Sequence, residues 1–356
     1  MKRRIVSIAF SVLFLVLLQS AGSAFGAEDE YEHQYRQEAD QVLGGTMVVA
    51  NRNAGTISII STITDRVEAT IDLPGANAEP MYVVYARAGN RVFVGDRAND
   101  RVVAFNAHDF TVEGIVAAGA GVFHMWINPQ NNRLWVNNDI DNTATVINPL
   151  TLDVLATVPM PEDLVLQGGK PHDVVLDTKY AYVTMVNLPE EDYVVKFSLE
   201  SLEEVGRAIV GRDSHVSLTL SNGLLYVPSQ NSGLVFVLNR RTLHRVAEIP
   251  VPGAHGAGMP RNGQTFYTTN LPGGGVEGLF AIDTRSNAVI GEAVDTPFPV
   301  PHNIALTPNG RKLYVTHSGA TADKVTIYTV SKLDGLPVFS GEATVGLNPF
   351  GLAFVP

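Results

Sequence analysis

The chain repeats itself about every 45 residues, and that period narrows the possible folds more than any single motif. "KPHDVVLDTKYAYVTM" from Lys170, "DSHVSLTLSNGLLYVPS" from Asp213, "GAHGAGMPRNGQTFYTTN" from Gly253 and "VPHNIALTPNGRKLYVTH" from Val300 are variants of one phrase. "VFHMWINPQNNRLWVNND" from Val122 is a fifth. Equivalent positions fall at Met81, His124, His172, His215, His255, His302 and Phe350, with gaps of 43, 48, 43, 40, 47 and 48 residues. Inside each unit, four runs rich in Val, Ile, Leu, Tyr and Phe alternate with Gly, Pro, Asn and Asp, the pattern of short antiparallel strands. Four strands at this period make one blade of a β-propeller.

The two ends set the blade count. "NPFGLAFVP" reads as a first strand with no second strand after it, and "GTMVVANRNAGTISIIS" as second and third strands with no first. Together they complete one blade. The expectation is an all-β, seven-bladed propeller of four-stranded antiparallel blades over residues 45–356. The N- and C-terminal strands share blade 1, which leaves no free sheet edge where the ring closes.

Ahead of the propeller, "MKRR" and the apolar run to Leu18 lead to small residues at Gly22 and Ala24, the layout of a secretory signal peptide over 1–24 with cleavage between 24 and 27. An acidic polar tail occupies 25–44. These features predict a periplasmic or secreted protein with no stable membrane insertion after cleavage. The sequence contains no cysteine, which removes disulfides, thiolate ligands and C-x-x-C-H haem attachment. Without Lys2, Arg3 and Arg4, 22 basic residues face 36 acidic ones, a formal charge of −14. Such a field repels phosphate backbones, so nucleic acid is not an expected partner.

The second strands "RVFVGD", "RLWVNN", "YAYVTM", "LLYVPS" and "KLYVTH", with turns such as "TPNGR" ahead of them, resemble the YVTN-repeat family of seven-bladed propellers. The resemblance runs from about residue 45 to the end. It implies the fold but no single activity, since a propeller supports binding, scaffolding and catalysis alike.

In a propeller the first strand of each blade lines the central channel. His124, His172, His215, His255 and His302 are therefore expected at one level of the channel mouth, in consecutive blades. Five of the chain's nine histidines in one funnel point to a metal site, because neutral imidazole suits copper, zinc, iron or nickel. Met81, at the same level, adds a thioether that favours copper. His317, Asp96 and Asn137 end second strands on the same face and are candidates for a further ligand or for orienting the imidazoles; turn capping is the competing role for the short polar ones. His33, His108 and His244 read as surface residues. The histidine arrangement is similar to those of propeller copper proteins such as nitrous oxide reductases, selenium-binding methanethiol oxidases and thiocyanate dehydrogenases. That similarity implies a copper-dependent oxidoreductase acting on a small molecule, with no catalytic residue identified. The alternative is a non-catalytic propeller that binds a peptide, a glycan or a periplasmic partner protein at the same mouth.

Overall fold

The computed structural model describes residues 44–356 apart from 129–132 and 219–221. The expected signal peptide and acidic tail lie outside the described residues, except Gly44. Seven antiparallel sheets follow one another along the chain, giving the seven-bladed propeller. Blade 1 is built from both ends: Pro349–Val355 is innermost, followed outward by Thr46–Asn51, Thr56–Ser61 and Val67–Asp72. The closing pair is antiparallel, with Thr46 opposite Val355 and Asn51 opposite Pro349. Blade 6 departs from the common plan, its outer position divided between Ala288–Val289 and Val294–Thr296. One short helix, Glu162–Val165, lies in the connection between blades 3 and 4.

Stacked blades bury both faces of their middle strands, which explains why these strands read as continuous apolar runs rather than alternating ones. Thr56–Ser61 is buried at every position, whereas the outer strand Val112–Ala117 is buried only at Val116. The apolar clusters sit between blades. One joins Trp135 of blade 3 to Val174, Val183 and Phe197 of blade 4. Each such side chain contributes roughly 1.5–3 kcal/mol on burial.

A repeated tyrosine ties neighbouring blades together. In the middle of the second strand its hydroxyl donates across to the outer hairpin of the next blade: Tyr182 to the Arg240 carbonyl at 3.0 Å and Tyr267 to the Gly335 carbonyl at 2.7 Å. Tyr314 makes the same link across the closure, donating to Asp65 Oδ1 at 2.7 Å. Lys312 also holds that carboxylate, at 2.7 Å. The tyrosine of the repeated phrase thus supplies an apolar ring to the blade interface and a polar tip to its neighbour.

Truncation before Pro349 removes the innermost strand of blade 1 and uncovers the edge of Thr46–Asn51. The expected result is insoluble or protease-sensitive protein. Tyr314→Phe deletes one hydrogen bond to a charged acceptor and leaves the strands paired. It should cost about 1.5–3 kcal/mol, with reversible folding retained in a urea titration. A soluble truncate with an unchanged melting curve contradicts closure by the shared blade.

Candidate functional site

At the start of each inner strand one residue, the opener, pairs near the end of the second strand: Pro80, Val122, Pro171 (after Lys170), Ala254, Pro301 or Pro349, and in blade 5 Ser214, as an isolated bridge ahead of Ser217–Leu218. In six blades the register then slips by one, so that two residues oppose one; blade 5 keeps a regular register. Such a bulge re-aims the side chains beside it. The first residue after the opener is Met81, Phe123, His172, His215, His255, His302 or Phe350. The second is Tyr82, His124, Asp173, Val216, Gly256, Asn303 or Gly351, and all but Val216, which packs in the cluster shared with blade 4, contact the next blade. A Cβ at Gly256 would collide with the His302 carbonyl, and one at Gly351 with the Met81 carbonyl. Threonines opposite the bulge fasten it. Thr316 Oγ1 accepts the Asn303 N–H at 3.0 Å and donates to the Phe350 carbonyl at 2.8 Å. Thr269 links Gly256 to the His302 carbonyl in the same way, at 2.9 and 3.2 Å.

Four of the five expected histidines therefore share one position, and His124 stands one residue beyond it. Phe123 occupies the place assigned to His124 by sequence spacing. The first-position rings form a closed circuit. Centroids are 4.6 Å apart for Phe123–His172, 4.7 Å for His172–His215, 3.7 Å for His215–His255, 4.7 Å for His255–His302, 4.1 Å for His302–Phe350 and 6.2 Å for Phe350–Phe123. Met81 is fully buried in the apolar core shared by blades 2 and 3, a core that also takes in Phe350 of the circuit. Tyr82 lies 5.5 Å from Phe350 and 5.6 Å from Phe123.

The partners of the Nδ1 atoms divide the imidazoles into two kinds. His215 Nδ1 lies 3.2 Å from Asp173 Oδ2, and His255 Nδ1 lies 2.7 Å from Gln230 Oε1. Both acceptors put the proton on Nδ1. The Nε2 atoms of these two residues are buried without a hydrogen-bond partner. His124 and His302 are the reverse. His124 Nδ1 accepts the Val174 N–H at 3.0 Å, and His302 Nδ1 accepts from Asn303 Nδ2 at 2.9 Å. That amide also donates to the Phe350 carbonyl at 3.2 Å, which fixes its orientation. In their neutral forms, then, His124 and His302 carry the proton on Nε2.

His172, His215 and Asp213 each bring one potential ligand atom to within 4.8 Å of the others. Asp213 is held in the left-handed region at φ 55°, and its N–H donates to Asp192 Oδ2 at 2.6 Å. Neither Asp173 nor Asp213 was among the sequence-derived site residues. The available signal was adjacency, in "PHD" at 171–173 and "RDSH" at 212–215.

The other expected residues lie elsewhere. His317 uses both nitrogens locally, with Nδ1 3.0 Å from the Pro299 carbonyl and Nε2 2.9 Å from Thr326 Oγ1. Asp96 accepts from the Glu79 N–H at 2.9 Å and from Asn99 Nδ2 at 2.8 Å and pairs with Arg101 at 2.9 Å. Asn137 donates to the His172 carbonyl at 2.9 Å, bracing the backbone of the ring rather than facing its centre. His108 and His244 are exposed on outer hairpins.

Burial dominates the titration of the ring. It pushes His172 down to about 4 and His302 down to about 3, with the charge on His215 acting the same way. His255 and His124 are lowered for the same two reasons. His215 differs: burial pushes it down, but Asp173, Asp213 and Asp192 outweigh burial and raise it. Burial also pushes Asp173 up, yet the surrounding imidazoles, His124 and His215 first, hold it well below the usual carboxylate range. His215 and Asp173 thus form a buried ion pair among neutral imidazoles.

No protein-family model matches the chain, and a search of curated proteins returned no match. Solved structures share the fold. Kuenenia stuttgartiensis hydrazine synthase aligns at TM-score 0.64 and 16% identity, over 81% of this chain and 92% of that one. A structure titled a putative 6-phosphogluconolactonase from Bacteroides fragilis aligns at TM-score 0.67 and 16% identity, over 88% and 98%. Dihydro-heme d1 dehydrogenase NirN in complex with DHE aligns at TM-score 0.59 and 11% identity, over 86% and 74%. At these identities the similarity establishes the propeller only.

The depressed imidazoles predict a pH dependence for the metal-free protein. A group whose folded pKa lies below its unfolded value loses stability as pH falls through the unfolded value, near 6.5. Four ring histidines lose stability in this way; His215, being raised, gains it. Between pH 7 and 5 stability should fall by up to about 1.4 kcal/mol per pH unit for each uncompensated proton. His302→Phe should flatten the slope measured in chelator. A slope unchanged by this substitution contradicts the buried neutral imidazole.

Proposed function

We propose that the chain is an exported YVTN-type propeller that holds a transition metal at the mouth of its channel. The carrying observation is the pair of adjacent imidazoles, His215 and His255, whose Nδ1 atoms are committed to Asp173 and Gln230 and whose buried Nε2 atoms have no hydrogen-bond partner. A metal-binding histidine characteristically gives one nitrogen to the ion and its other N–H to a carboxylate or carbonyl oxygen. His172 and Asp213 each bring one potential ligand atom to within 4.8 Å of that of His215, and the His255 ring lies 3.7 Å from the His215 ring by centroid, so the proposed donor set is three imidazoles and a carboxylate. This set fits copper(II), zinc or iron(II), and copper(II) is the tightest of these in the usual affinity order. In the metal-bound state the ion supplies Lewis acidity and, if it is copper or iron, electron transfer.

The protein's own part is positioning. Asp173 orients His215, Gln230 orients His255, and Asn137 holds the backbone of His172. Phe123 and Phe350 close the other side of the ring, and their apolar faces reduce competition from water. A small-molecule oxidoreductase is the activity that follows from a redox metal in this setting. The named neighbours, a hydrazine synthase and a dihydro-heme d1 dehydrogenase, are in keeping with redox chemistry on a propeller.

Elemental analysis of protein recovered from the export compartment, followed by calorimetric titration with copper(II) and zinc, tests the reading. His215→Ala and His255→Ala should each lower affinity at least tenfold and reduce the metal recovered. His108→Ala and His244→Ala should leave both unchanged. Full stoichiometry and affinity in His215→Ala would falsify the metal site and leave a propeller that binds through its mouth without an ion.

A further inference from the structure

We infer that the site takes a small anion as its exogenous ligand, and that His302 donates the hydrogen bond that holds this anion beside the metal. The inference rests on the metal reading and goes beyond it by naming the class of ligand and the residue that selects it.

His302 was expected from spacing to be one more metal ligand. Its hydrogen bonds give it a different role. Asn303 Nδ2 donates to both the Phe350 carbonyl and His302 Nδ1, and since a carbonyl only accepts, the amide cannot be turned the other way round. His302 Nδ1 is therefore an acceptor, and the remaining proton is on Nε2. An Nε2 that carries a proton is not available to a metal. The ring nevertheless stands in the circuit, 4.7 Å from His255 by centroid and tilted 31° to it. An N–H next to a metal-binding imidazole is a complement for the acceptor atom of a metal-bound ligand.

Charge and size favour a small anion among possible acceptors. The metal is positive, and the guanidinium of Arg52 stands 5.4 Å from the centroid of Phe350, the ring next to His302. Arg52 is shared with Glu79 at 2.6 Å, so it supplies a directed field rather than a free charge. The ring limits size. Centroids between 3.7 and 4.7 Å along the His172–His302 arc mean that the side chains touch, so a ligand has to come along the channel axis. A carboxylate, hydroxide or linear triatomic anion meets these limits; a sugar or a peptide side chain is too large to sit among the rings.

Azide serves as the probe, titrated into the copper(II)-loaded chain and read by its charge-transfer absorption, with copper content checked in every sample. Wild type should bind copper and azide. His302→Phe preserves the aromatic packing and should keep the copper while weakening azide about tenfold, the loss of one hydrogen bond at about 1.4 kcal/mol. His302→Gln restores an N–H and should recover part of that affinity, which also guards against a packing defect in the phenylalanine variant. If His302→Phe holds copper and binds azide as tightly as wild type, the donor role is wrong and the metal reading stands. If His302→Phe loses copper itself, His302 is a ligand and the assignment of its proton is overturned. If wild type takes up no copper or other metal, both readings fall.

Discussion

Six of the seven inner strands begin by setting two residues against one, and the geometry of the channel mouth follows from that slip. The extra residue separates two directions that a regular strand would alternate down its length. One side chain goes to the channel, and the next goes sideways to the neighbouring blade. The sideways set includes Asp173, which reaches His215, and Asn303, which reaches the Phe350 backbone. His172, His255 and His302 stand at such bulges, whereas His215 opens from a regular register; the contacts that orient His215 and His255 cross between blades. A propeller is well suited to this, because its blades are locked by apolar packing and by tyrosine links that do not involve the mouth. The site can carry polar groups that are poorly satisfied while the fold is held together elsewhere.

The ring is costly by the standards of a structural feature. Burying a polar atom without a partner costs about 1–3 kcal/mol, and His215 Nε2, His255 Nε2 and Asp173 Oδ1 all lie in that state. Apolar residues at the same positions would avoid the cost, as Phe123 and Phe350 do on the other half of the circuit. Histidines on four successive blades, each neutral except the one beside Asp173, instead make a polar arc facing an apolar one. The bare Nε2 of His255, the Nε2 of His215 once a metal displaces its proton, and the N–H of His302 are complementary to a metal and to the anion bound on it.

The fold was legible because its signals are local and repeated: the period, the alternation of apolar runs with turns, and the unmatched strands at the two ends. The site was legible only in part. A histidine after proline marks the channel position in "KPHD" and "VPHN", but "VFHM" has no proline, and only strand pairing shows that Val122 is the opener and Phe123 the channel residue. Met81 sits at the right position yet is buried in the core, where Phe93, Val122 and Phe350 complete an apolar pocket. Tautomers were beyond reach of sequence, since each depends on a residue from the next strand or the next blade. His124, for example, is set by a backbone N–H fifty residues away. His317 shows the same limit, as its two partners at Pro299 and Thr326 become neighbours only after blade 7 has folded.

The central claim is that one ring contains two kinds of imidazole. Long-range proton–nitrogen correlation spectra of the histidine side chains in metal-free protein, recorded near neutral pH, measure this directly. The account predicts Nε2-protonated neutral signals for His124 and His302, an Nδ1-protonated neutral signal for His255, and a protonated or Nδ1-protonated signal for His215. A single common tautomer for all four, or a charged His302, would contradict it.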